Sequence, residues 1–134
     1  MPENVVFDLL NPGTLHKPNG YSHAAKVNGG KILFIAGQVS LDRVGNVVGK
    51  SDFRAQAQQV FENLKAAVEA AGGHFKDITK LNVYVVDAAR LPEYREVRDR
   101  FMDVERPPAS TAVQVSALFR TEFLIEVEAV AVLP

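Results

Sequence analysis

FLIEVEAVAVLP, residues 123–134, is the stretch on which the fold turns. Val, Ile, Leu and Ala dominate it, and residues 123–132 read as a buried β-strand. Yet Glu126 and Glu128 sit two apart inside it. Successive side chains of a strand point to opposite faces, so both carboxylates lie on one face. A carboxylate without a partner is costly to bury. That face is therefore solvated, paired with cations across a subunit boundary, or part of a cleft. Glu128 fits the paired reading better. Glu126, deeper in the run, is the candidate for a cleft carboxylate that orients water.

Working outward, the preceding stretch TAVQVSAL (111–118) forms another strand, and the loop 119–122 makes the two a hairpin. A second hairpin is expected where 23–27 and 31–36 flank Asn28-Gly29-Gly30, a turn composition. ITKLNVYVV (78–86) is a strand by its β-branched and aromatic content, and 5–10 is a short one stopped by Asn11-Pro12-Gly13. The clearest helix spans 51–71, with Phe53, Ala57, Val60, Phe61, Leu64, Ala67, Val68 and Ala71 at helical spacing. Ser51 is its expected N-cap and Gly72-Gly73 its stop, while Gln56, Gln59, Glu62, Asn63 and Lys65 occupy the polar face. Pro92 opens a second helix carrying Tyr94, Val97, Phe101 and Val104, which Arg106-Pro107-Pro108 ends.

The order β, ββ, α, β, α, ββ, without repeat or linker, predicts one α+β domain over residues 1–134. A mixed six-stranded sheet would carry both helices on one face. Its strands are apolar on both sides, and a bare apolar face implies association of copies.

Composition narrows the function. Net charge is −1, and the 15 Lys and Arg residues are scattered without a basic run, which argues against a nucleic-acid partner. The chain has no cysteine, which excludes thiolate metal sites and Cys nucleophiles and fits a reducing cytoplasm. Neither a secretory signal nor a bilayer-length apolar run is present, so the expected setting is cytoplasmic, with no membrane partner. His16, His23 and His74 lack metal-ligand spacing, no GxSxG elbow exists, and no glycine cluster opens a helix as a phosphate loop does. No metal and no cofactor are expected. Tyr21, after the Pro18-Asn19-Gly20 turn, either buries its ring or presents its hydroxyl to a pocket.

Several stretches, taken in order, resemble the RidA/YjgF family of reactive-intermediate (imine) deaminases. They are GYSHA (20–24), ILFIAGQV (32–39), the helix through 56–73, VYVVD (83–87), Pro108-Ala109 and IEVEAVAV (125–132). The resemblance implies a chorismate-mutase-like α+β fold and a barrel-like homotrimer with small-molecule clefts between subunits. It also implies hydrolysis of an imine or enamine to a keto acid and ammonia. A family Glu on the last strand, matched by Glu126, positions the attacking water; a Tyr matched by Tyr21 lines the cleft, with Ala36, Gly37, Ala89, Ser110 and Ala112 at the other substrate-binding positions. Three of these depart from the family pattern. Ser110 stands where an Arg grips the substrate carboxylate, Ala36 where Ser is usual, and Ala89 where an Asn is expected.

Losing a bidentate cation that holds a desolvated carboxylate costs about 2–5 kcal/mol, or tens- to thousands-fold in rate. Altered substrate preference is expected, with Arg106 and Arg120 as the nearest substitutes in sequence. The alternative is a trimer that binds metabolites without catalysis. An endoribonuclease or translation inhibitor fits the near-neutral charge least.

Overall fold

The computed structural model describes residues 6–134. Six strands and two α-helices follow in the order β1 (Phe7–Leu10), β2 (Ala24–Val27), β3 (Lys31–Gln38), α1 (Phe53–Ala70), β4 (Ile78–Val85), α2 (Leu91–Arg98), β5 (Ala109–Gln114) and β6 (Ile125–Leu133). Val5, the expected start of the first strand, lies outside the described residues.

The six strands form two sheets rather than one. β1 and β2 pair antiparallel, and the other four run in the order β3-β6-β4-β5. A single parallel bridge, Ser22 to Ala109, joins the pair to the free edge of β5, with the Ser22 amide donating to the Pro108 carbonyl at 3.0 Å. β4 pairs antiparallel with β6 but parallel with β5, so the sheet is mixed. The parallel pair is connected through α2, as a crossover requires.

Neither expected hairpin forms. β2 is exposed or half-exposed at every position and offers no apolar face to a core, so it pairs with β1. The Asn28 amide donates to the Val6 carbonyl at 2.7 Å, and Gly30 turns the chain away with φ at +83°. β3 then pairs with β6, placing Leu33 and Ile35 beside Ala131 and Ala129. At the other end β5 stops at Gln114, so residues 115–124 are free to pass β4. β4 and β6, the two strands with the most buried positions, take the inner places of the sheet, β4 between β5 and β6.

α1 buries Phe53, Ala57, Val60, Phe61, Leu64 and Val68 against one face of the four-stranded sheet. The same core takes Tyr94 and Val97 from α2 and Leu81, Val83, Val85, Ile125, Val127 and Ala129 from the sheet. Phe61 is its aromatic centre, with Phe75, Tyr94 and Phe101 at ring-centroid distances of 5.9, 5.7 and 5.5 Å.

Three local expectations change. The N-cap of α1 is Asp52, whose carboxylate accepts from the Ala55 amide at 3.1 Å; Ser51 precedes it at a φ of +58°. Gln56 belongs to the core: fully buried, its amide nitrogen donates to the carbonyls of Gly49 (3.1 Å) and Glu122 (2.8 Å), and its oxygen accepts from the Leu124 amide (2.8 Å). α2 ends at Arg98, before Arg106-Pro107-Pro108, and Val104 beyond it is 55% exposed instead of packed.

Among the described residues no helix covers the opposite face of the sheet. Ile32 and Phe34 on β3 and Val113 on β5 are 57%, 78% and 42% exposed there, beside Glu126, Glu128, Asn82 and Tyr84. Among the described residues no helix is long and apolar enough to cross a membrane, and no group of three or more His, Asp or Glu could hold a metal ion.

Candidate functional site

The two carboxylates of β6 have separate fates. Glu128 accepts hydrogen bonds from the Tyr84 hydroxyl at 2.7 Å and from Asn82 Nδ2 at 3.2 Å, both from β4 on the same face. Its bond, first, and burial, second, push the Tyr84 hydroxyl above its ordinary ionisation range. Glu126 accepts no hydrogen bond from the described residues, and its carboxyl is raised above the ordinary value of 4.5, by burial first and the Glu128 charge second.

Gly37 explains where that carboxylate sits. The β3–β6 register shifts between Ile35 and Gln38, so Ala36 and Gly37 leave the ladder. A Cβ on Gly37 would fall directly on Glu126 Oε2. Only the missing side chain lets the carboxylate lie against the bulge. Gly37 also lines a surface cleft of about 610 Å³ with Gln38, Arg43, Asn63 and Phe119. Asn63 fixes one wall by donating to the carbonyls of Val39 (3.2 Å) and Leu41 (3.0 Å).

The remaining candidates gather elsewhere, along β5. Ser110 and Ala112 pair with Leu81 and Val83, so their side chains share the helix-covered face, opposite Glu126. Ala89 lies at the far end of β5, where the neighbouring Ala88 amide donates to Gln114 Oε1 at 2.8 Å. Tyr21 lies at the near end, beside the Ser22–Ala109 bridge. The Tyr21 hydroxyl is 2.7 Å from His16 Nε2, and the His16 carbonyl is 2.7 Å from His23 Nε2. The three rings pack tilted or edge-on, and Tyr21 and His16 line a separate pocket of about 560 Å³.

One chain does not bring Tyr21 and Glu126 together. Ser22 lies three strands from Glu126, across β5 and β4, and Ala109 is four residues along the sheet from Val113, at the level of Glu126. Strand spacing of about 4.8 Å and a rise of about 3.3 Å per residue make the separation roughly 20 Å. The candidates thus fall into two groups, Ala36, Gly37 and Glu126 at the β3 bulge, and Tyr21, Ser110, Ala112 and Ala89 strung from one end of β5 to the other.

Of the two expected substitute cations, only Arg120 is held by a carboxylate among the described residues. Arg120 donates through Nε and Nη2 to Glu122 Oε1, and its guanidinium stands over the Phe123 ring at 5.0 Å. Arg106 stacks on Phe7 at 5.9 Å. Sequence reading passed over Arg98, which is 6% exposed. Its signal was present: it follows Tyr94 by one helical turn, on the stripe that buries.

Residues 14–133 match the family described as endoribonuclease L-PSP. A RutC family protein of Pyrococcus abyssi is 38% identical over 132 residues, which span 98% of each chain. A 2-iminobutanoate/2-iminopropanoate deaminase of Dermatophagoides farinae is 30% identical over 133 residues, again 98% of each. The crystal structure of the Rid family protein YyfB of Yersinia pestis superposes with a TM-score of 0.88 at 38% identity, covering 96% of this chain and all of that one. With the α+β architecture, the bulged glycine under a last-strand carboxylate and these likenesses together, the chain is a member of the RidA/YjgF family.

Proposed function

We propose that the chain works as a homotrimer with ligand clefts between subunits, and that these clefts hydrolyse the C=N bond of a small imine or enamine metabolite. The observation that carries the reading is Glu126: a carboxylate seated on a glycine bulge, without a hydrogen-bond donor among the described residues and with its proton affinity raised. Such a group is a stronger base than an ordinary Glu and can also hold the proton afterwards. It would take a proton from water as the oxygen adds to the imine carbon. That proton would pass to nitrogen to give the neutral aminol, whose hydroxyl proton would then move through Glu126 to nitrogen as the C–N bond breaks, releasing ammonia and leaving the carbonyl product. Water and imine are consumed and ammonia and ketone released, with no redox change.

The division of the site supports an assembly of copies, and family membership makes a trimer the form proposed. Tyr21, Ser110 and Ala112 reach Glu126 only if a second copy brings its β5 edge to the bare face carrying Phe34 and Ile32. Burying that apolar face would drive the association. The near-neutral charge supports a small-molecule ligand over RNA.

The test is ammonia release from freshly generated 2-iminopropionate. Turnover by the wild-type protein that falls at least 100-fold in Glu126→Ala, with the fold retained, supports hydrolysis. Ser110→Arg is expected to raise turnover. Silence of wild type and both variants would leave the same clefts as binding sites without chemistry.

A further inference from the structure

Two donors on β4 face the two carboxylates of β6, and both go to the same one. In the β4–β6 register Tyr84 is the direct partner of Glu126, and Asn82 that of Glu128. Directly opposed side chains start about 4.5–5.5 Å apart at Cβ, diagonal ones about 7–8 Å. The Tyr84 hydroxyl nevertheless passes over its nearer neighbour and donates to Glu128 Oε1 at 2.7 Å, on the diagonal. Asn82 Nδ2 donates to that same oxygen at 3.2 Å. Glu126 is left without a donor among the described residues.

Two features enforce that choice. Gly37 has no Cβ, and Glu126 Oε2 takes the space, so the carboxylate leans toward β3 and away from β4. Glu128 meanwhile presents a charged acceptor, which holds a hydroxyl more strongly than a neutral one does. The rest of the face offers Glu126 no cation. Lys80 of β4 donates to Thr111 Oγ1 at 2.9 Å, while β5 adds Val113 and β3 adds Ile32 and Phe34, none of which ionises. A half-buried carboxylate beside a hydroxyl ordinarily collects it as a partner. Doing so would make Glu126 a weaker base, because the bond favours the charged form.

We propose that Glu128 is a positioning residue for the reaction at Glu126: by engaging the Tyr84 hydroxyl and the Asn82 amide it withholds both donors, and the Glu126 carboxylate stays open to water. The inference rests on Glu126 being the base of the reaction given above, but the sequestration itself needs no turnover. It gives the second carboxylate of the strand a task distinct from the first. With Glu128 removed, the hydroxyl turns to the carboxylate directly opposite it.

Titration of the Glu126 carboxyl, followed by carbon NMR on the full chain, separates occupation of the donors from the effect of charge alone. Glu128→Gln removes the charge and keeps an oxygen for Tyr84. Glu128→Ala removes both, and Glu128→Ala combined with Tyr84→Phe also removes the released donor. The Glu126 midpoint is expected to fall in Glu128→Gln. It should fall further in Glu128→Ala by about one pH unit, the equivalent of one net hydrogen bond, and return to the Glu128→Gln level in the double variant. Ammonia release from 2-iminopropionate should drop about 10-fold in Glu128→Ala and largely recover in the double variant, a rescue that a purely structural Glu128 would not show. Tyr84→Phe alone should leave the midpoint in place and covers the case in which Glu128→Ala fails to fold. The proposal is overturned by a Glu128→Ala that titrates with Glu128→Gln or keeps full turnover, by a double variant that stays with Glu128→Ala, or by a midpoint that rises in Tyr84→Phe. A wild type that releases no ammonia counts against hydrolysis at Glu126, and the titration still decides where the hydroxyl goes.

Discussion

Glu128 accepts two hydrogen bonds from β4, whereas Glu126, on the same face of β6, accepts none from the described residues. That difference gives Glu126 a contribution to the pH dependence of stability. Folding raises the proton affinity of Glu126, first through burial and then through the Glu128 charge. Between the unfolded value near 4.5 and the raised folded value, the native state binds more protons than the unfolded one. Stability therefore falls as pH rises through that window. Glu126→Gln is expected to raise the melting temperature at pH 7 by about 1–3 °C and leave it nearly unchanged at pH 4, where the native carboxyl already holds its proton. A melting temperature lowered at pH 7 would show that Glu126 has a stabilising partner. Tyr84→Phe removes one donor from Glu128 and should cost about 1 kcal/mol in denaturant unfolding. Gly37→Ala should displace the Glu126 carboxylate and abolish ammonia release with a small effect on stability, since its Cβ meets a side-chain end and not backbone.

The elements were legible wherever one periodicity decided them. α1 declares itself through Phe53, Val60, Phe61, Leu64 and Val68, and β4 and β6 through dense β-branched content. Pairing was not legible, because an edge strand such as β2 and a strand such as β5 show the same short-range signals as hairpin arms. What separates them is which partner faces the helices. Gln56 shows the same limit inside a helix. It sits one turn before Val60 on the buried side, yet its type alone reads as surface. Its amide satisfies two carbonyls and one backbone amide that tie residues 49, 122 and 124 to the helix. Gln56→Leu preserves volume but leaves those three groups unpaired, and should cost about 2–4 kcal/mol. Chemical denaturation measures it, and a loss below 0.5 kcal/mol, roughly the level of a neutral surface change, would mean that water replaces the side chain.

At the scale of the whole molecule, the bare face of the sheet and the divided site make one prediction. Phe34, 78% exposed on the edge strand β3 of that face, becomes a buried contact in the proposed trimer. Phe34→Asp would put a charge into an apolar interface, so sedimentation should find trimers for wild type and monomers for the variant, with ammonia release lost. A trimeric, active Phe34→Asp would remove this face from the assembly. The sequence by itself determined the α+β class, the two helices and the family, because these depend on local periodicity and on motifs read in order. Only the tertiary structure decided that β4 parts β5 from β6 and that Glu128 is held by Tyr84 and Asn82. Each of those joins residues distant along the chain or on different elements. Which side chains meet there is fixed by how the faces pack, and no spacing along the sequence encodes it.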